Sequence, residues 1–126
     1  MKSRIIKTVP ESVILYRLEE HYDVISEISA KLGIKVITAE ENQAGEAVGF
    51  LAGYNGFASN GSQESCDISC MIFSAMTGKQ LDSMLAELRK AGLSIPYKAV
   101  ITASNQSWSL KKLAEELVKE HNQMNG

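Results

Sequence analysis

Val36-Ile37-Thr38-Ala39 recurs as Val100-Ile101-Thr102-Ala103, and the residues ahead of each copy match in kind. The first copy follows an apolar run, Val13-Ile14-Leu15-Tyr16, and a helical stretch ending Lys31-Leu32-Gly33-Ile34. The second follows Met71-Ile72-Phe73-Ser74 and a stretch ending Lys90-Ala91-Gly92-Leu93. Each half reads as strand, helix, strand, with a glycine where a helix closes through the left-handed conformation. Apolar β-branched runs and terminal glycines are generic to βαβ units, so four identical residues are weak evidence of ancestry. The shared order of elements is enough for the fold argument. The one large offset between the halves is an insertion, Ser94-Ile95-Pro96-Tyr97-Lys98.

Extending this reading along the chain gives eight alternating elements. Strands are expected over residues 12–17, 35–39, 68–74 and 98–102. The first helix, 20–32, has an apolar stripe of Val24, Ile25, Ile28 and Leu32. The second, 43–53, carries Gly45, Gly49 and Gly53 at intervals of four. Such a row means close backbone packing, inside the fold or at a dimer face, or a short marginal helix. Thr77-Gly78-Lys79-Gln80 offers a capping box that starts a third helix, with Leu81, Met84, Leu85 and Leu88 inward. The last helix, 109–122, points Leu110, Leu113, Ala114, Leu117 and Val118 inward and a solvated row of Lys and Glu outward. Residues 55–65, rich in Gly, Asn, Ser and Gln, form the most mobile loop.

Alternation of strands and helices predicts a three-layer α/β fold with a four-stranded, mostly parallel sheet. Two pseudo-repeated βαβα halves, about 12–54 and 68–122 joined by loop 55–67, make one domain over residues 1–126. If a twofold axis parallel to the strands relates them, the order is 2-1-3-4, the crossover helices cover opposite faces and the repeated strands lie at the edges. A ferredoxin-like α+β sheet is the runner-up and requires the second helix to be a loop.

At 126 residues and a net charge of −2, the chain suits one core and has no basic stripe for nucleic acid. No apolar run approaches the roughly 20 residues that span a bilayer, and residues 1–7 lack the apolar core of a signal peptide, so a cytoplasmic location is expected. Cys66 and Cys70 on an extended strand would sit about 13 Å apart, too far for a disulfide or a shared metal, and read as reduced thiols. His21 and His121 have no third ligand at a metal spacing. No metal and no cofactor is expected.

In a parallel sheet of this order, ligands bind beyond the carboxyl ends of the strands, where strands one and three meet. Arg17, Leu18 and Glu19 after strand one, and Ala75, Met76, Thr77, Gly78 and Lys79 after strand three, would line that crevice. Arg17, Thr77, Gly78 and Lys79 form a candidate anion site, with free amides at a helix start and two cations. The plainer account is a capping box beside solvated basic residues. After strand four, Thr102, Asn105 and Trp108 either cap and staple the last helix or face the crevice as a hydrogen-bonding and stacking pair. Glu40, Glu41 and Asn42, in the matching loop after strand two, lack a partner that would make them catalytic.

Met71-Ile72-Phe73, Arg89-Lys90-Ala91-Gly92, Ile95-Pro96-Tyr97-Lys98-Ala99-Val100, Thr102, Asn105, Trp108 and Glu115-Glu116-Leu117 together resemble the bacterial domain-of-unknown-function family numbered 3783. The first half is similar too. Ala103 stands where that pattern often has proline. The resemblance implies a small cytoplasmic protein, carries no activity, and draws interest to Thr102, Asn105 and Trp108. The expectation is a non-enzymatic binding or regulatory module for a small anionic ligand or a protein partner. The alternatives are an enzyme using the same crevice, or a homodimer built through the glycine-lined helix or the last helix.

Overall fold

The sheet has the order β2-β1-β3-β4, with β1 at Ser12–Tyr16, β2 at Lys35–Ala39, β3 at Cys70–Ser74 and β4 at Lys98–Val100. The computed structural model describes residues 9–125; the leader-sequence reading of residues 1–7 lies outside them. β1 pairs with β2 and β3 with β4 in parallel, so the α/β sheet is mostly parallel. Val36–Ala39 lies in the edge strand β2, while of the second copy only Val100 lies in the edge strand β4, which stops short of the expected residue 102. The central pair departs from expectation. β1 and β3 are antiparallel, with Ser12 opposite Ser74 and Tyr16 opposite Cys70.

That reversal changes the layers. Alternate residues of the central strands point to opposite faces. Val13, Leu15, Met71 and Phe73 meet α1 (Tyr22–Leu32) and α3 (Gly78–Lys90) through Ile25, Ile28, Met84 and Leu88. Both crossover helices therefore cover one face, where a parallel centre would have put them on opposite faces. Ile14, Tyr16, Cys70 and Ile72 face the other way, against the segment around α2 (Val48–Leu51) and α4 (Leu110–Asn125) through Ala44, Val48, Leu110 and Leu113. With two parallel pairs, the sheet is not the ferredoxin-like runner-up.

The second helix shrinks from the expected 43–53 to a 3-10 turn at Glu41–Gln43 and a single turn at Val48–Leu51. The backbone groups have better partners across the molecule. Val48 and Gly49 donate to the carbonyls of Trp108 and Gln106 at 2.9 and 2.8 Å, while Leu110 and Lys111 donate back to Glu46 and Ala44 at 3.0 and 2.8 Å. Pairing two irregular segments satisfies amides that a helix would otherwise bond internally. The glycine row fits this packing. A Cβ on Gly49 would lie 2.8 Å from the Gln106 carbonyl oxygen and 2.9 Å from the Phe57 ring. Gly45 and Gly49 thus face neighbours within the chain, whereas Gly53 has open space around it.

Loop 55–65 has no regular structure but is tethered. Glu46, buried to 4 % exposure, accepts hydrogen bonds from the Ser59 hydroxyl and, at 2.9 Å, from the Asn60 amide. Asn60 in turn donates through Nδ2 to the Gly45 carbonyl at 2.9 Å.

Both central strands end in the same way. Arg17 follows β1 with φ 57° and Ala75 follows β3 with φ 60°, a left-handed turn that costs a non-glycine residue roughly 1 kcal/mol. It turns the chain sharply out of the sheet toward the first-turn residues of α1 and α3. Val24, expected in the α1 stripe, is 41 % exposed, and Ser29 takes the inward position.

Candidate functional site

Because β1 runs against β3, their carboxyl ends, and the segments that leave them, lie at opposite ends of the sheet. Arg17 shares its end with Glu41 after β2 and with the starts of β3 and β4; Thr77, Gly78 and Lys79 share theirs with Thr102, Asn105 and Trp108. The single crevice expected from a parallel sheet is therefore two separate groups. Arg17 cannot act with Lys79 on one anion.

Within each group most of the polar side chains have internal partners, although Lys79 makes no ion pair among the described residues. Arg17 Nη1 lies 2.5 Å from Glu41 Oε1, and that carboxylate holds the guanidinium pKa above its ordinary value. Thr77 Oγ1 accepts from the Gln80 amide at 3.1 Å while Gln80 Oε1 accepts from the Thr77 amide at 2.9 Å, the capping box as expected. Asn105 Oδ1 accepts from the Thr102 amide at 2.9 Å, Thr102 Oγ1 accepts from the Asn105 amide at 3.1 Å, and Asn105 Nδ2 donates to the Val100 carbonyl at 3.1 Å. These bonds close a turn and stop β4 at Val100, since side chains of this kind compete with the sheet ladder. The Trp108 ring carries the Lys112 ammonium at 4.5 Å from its centroid, the helix-stapling role.

A depression of about 310 Å³ lies beside Arg17, lined by Leu18, Glu19, Tyr22, Asp23 and Thr38, but larger open space lies elsewhere. A cavity of about 450 Å³ sits where β1 ends and β3 and β4 begin, with Leu18, His21, Asp67, Ser69, Pro96 and Tyr97 among its walls. His21, at the end of the 3-10 turn Glu19–His21, has Glu20 Oε1 at 3.6 Å from its Nε2. The Tyr97 ring is fixed edge-on against His121 at 5.5 Å between centroids. Beneath it, the buried Tyr16 hydroxyl donates to the Glu41 carbonyl at 2.7 Å and accepts from the Cys66 amide at 3.1 Å, tying the approach to β3 onto β1. Sequence alone does not single out His21, Asp67, Ser69 and Tyr97 as a group. Their one signal is the insertion 94–98, which points nowhere until β3 reverses and brings its start beside the end of β1.

Cys66 is half-buried and Cys70 buried, and both are free thiols. Burial, with the neighbouring Cys66, pushes the Cys70 thiol up to about 12. Among the described residues no three His, Cys, Asp or Glu side chains gather as metal ligands, and no helix is long and apolar enough to cross a membrane.

Residues 69–124 match the model of a family described as Domain of unknown function (DUF3783). This segment is similar to DUF3783. The DUF3783 match takes in β3, α3, β4 and most of α4, and does not extend over the first half, against the similarity expected there. It brings the insertion 94–98 and the Thr102–Asn105 turn within the family segment, and leaves Leu18 and His21 outside it. No curated protein and no solved structure matches the chain. The function is unknown.

Proposed function

We propose that this chain is a non-enzymatic binding module holding a small molecule between the end of β1 and the starts of β3 and β4. The observation that carries this is the composition of the 450 Å³ cavity there. Separate segments contribute an imidazole, carboxylates and three hydroxyls around the apolar surface of Leu18, Ile68, Ile95 and Val118. Cavities of this size with a few convergent polar groups suit a ligand with an apolar body. Glu20 and Asp67 at its rim, and an Arg17 already neutralised by Glu41, favour a hydroxylated or amino compound over an anion. Against catalysis, His21 pairs with Glu20 and not with a serine or cysteine it could activate.

The setting follows from the same reading. Two free thiols fit the reducing bacterial cytoplasm. The two βαβ units fit a duplication whose twofold axis is normal to the sheet, the one relation that makes β1 and β3 antiparallel and puts α1 and α3 on one face.

The test is a library of small polyols, amines and carboxylates observed by ¹H–¹⁵N correlation spectra. We expect polyols or amines to perturb amides of residues 18–21, 67–69 and 94–97, and Tyr97→Ala to abolish the effect while the spectrum stays folded. Perturbations confined to other surfaces, or unchanged in Tyr97→Ala, would sink this reading.

A further inference from the structure

We propose that the depression between the C-terminal half of α3 and the start of β4 binds a small amphipathic carboxylate. Its head would lie on Arg89 and Lys98 and its apolar body on Leu85, Leu88, Leu93 and Ile95. This site is separate from the cavity described above and shares with it only Ser94 and Ile95 of the insertion, which forms a wall between the two.

The depression holds about 520 Å³, and its walls carry two cations and no carboxylate. Arg89 makes no ion pair among the described residues. The nearest acid along the helix, Glu87, is drawn to the opposite side by Lys31 at 2.9 Å and Lys90 at 3.5 Å, so it does not quench Arg89. Those bonds hold the Glu87 carboxylate below its ordinary pKa, which keeps it charged and engaged there. Lys98 donates one hydrogen bond to the Ile95 carbonyl. An ammonium has three donors, so two of its protons are left for a ligand while its position is fixed.

Apolar surface completes the site. Leu88 and Ile95 are buried at the base, and Leu85 and Leu93 are half-exposed around it. A guanidinium offers a carboxylate two parallel hydrogen bonds. The partial negative charge at the C-terminal end of α3 works against an anion; two full positive charges within the same depression outweigh it.

The probe is octanoate, with 1-octanol and octylamine as controls of equal tail, followed by ¹H–¹⁵N spectra. Octanoate is expected to shift amides of residues 88–95 saturably. 1-Octanol should bind about tenfold more weakly and octylamine less still, since a charge-assisted hydrogen bond is lost. Arg89→Gln, on the exposed helix surface where folding is unaffected, should weaken octanoate by about tenfold, and adding Lys98→Gln should weaken it further. No octanoate shift, octanol binding as tightly, or unchanged affinity in Arg89→Gln would each overturn the site.

Discussion

Gly49, Gly45 and Gly33 separate three reasons for a glycine, and substitution by alanine distinguishes them. At Gly49 the new methyl group would meet a backbone oxygen at 2.8 Å, which cannot move without breaking the bond that Gly49 donates to Gln106. We expect Gly49→Ala to cost about 1–3 kcal/mol, the range for overpacking a filled site. At Gly45 the new methyl group would meet Ser62 Oγ at 2.0 Å and Ser62 Cβ at 2.7 Å. The hydroxyl can rotate away but the Cβ cannot, so the irregular loop around Ser62 must shift, which should cost less than displacing a bonded carbonyl. Gly33 has open space around it but φ 73°, closing α1; its alanine variant should lose about 1 kcal/mol from backbone conformation alone. Urea unfolding of the three variants tests the ranking, and a Gly45→Ala costlier than Gly49→Ala would contradict it. The two thiols make a second prediction at this scale. Cys70, with its pKa at about 12, presents almost no thiolate at pH 8. A disulfide reagent should therefore titrate one equivalent quickly at the half-buried Cys66 and the second only as the protein unfolds. Two fast equivalents would show that Cys70 is accessible.

The elements show how far a sequence reaches. α1, α3 and α4 are legible because each carries a 3.6-residue apolar stripe over two or more turns and a stop or start signal, Gly33 for α1 and the Thr77–Gln80 box for α3. The second helix is not, because its fate depends on residues 106–111, sixty positions away in sequence, whose carbonyls and amides capture it. The repeated tetrapeptide points to both edge strands, though only Val100 of the second copy pairs, yet nothing in an apolar run of five states the direction of its neighbour, so the reversal of β3 is invisible. With it goes the single crevice of Arg17 and Lys79, and the cavity at His21 and Tyr97 stays out of sight. The tether of loop 55–65 is hidden for a similar reason: Glu46 reads as one more surface acid until Ser59 and Asn60 fold onto it. Glu46→Ala removes that anchor and leaves the Asn60 amide without its acceptor. Limited proteolysis should then cut within residues 55–65 at least about tenfold faster, as expected when local opening loses a charge-assisted bond. Equal cutting rates would mean that the loop is held by its other bonds, such as Asn60 to Gly45 and Ala44 to Glu64.

At the scale of the molecule, the family segment and the folding unit do not coincide. DUF3783 covers residues 69–124, but β3 is a central strand that pairs along its whole length with β1, outside that segment. Both apolar layers mix the halves. Val13, Leu15 and Ile25 pack with Phe73 and Met84 on one side, and Ile14, Ala44 and Val48 with Ile72 and Leu110 on the other. The cross-bonding of residues 44–49 to 106–111 joins the two halves again at the backbone. A fragment of residues 66–126 would expose one edge of β3 and both faces of the missing contacts, leaving too small a core to offset the entropy of ordering it. We therefore expect that fragment to lack a cooperative thermal transition on its own, and to regain one when mixed with residues 1–65 at equal concentration. A cooperative transition of the fragment alone, with helical circular dichroism in proportion to α3 and α4, would show instead that the DUF3783 segment is self-sufficient and that the first half is an addition to it.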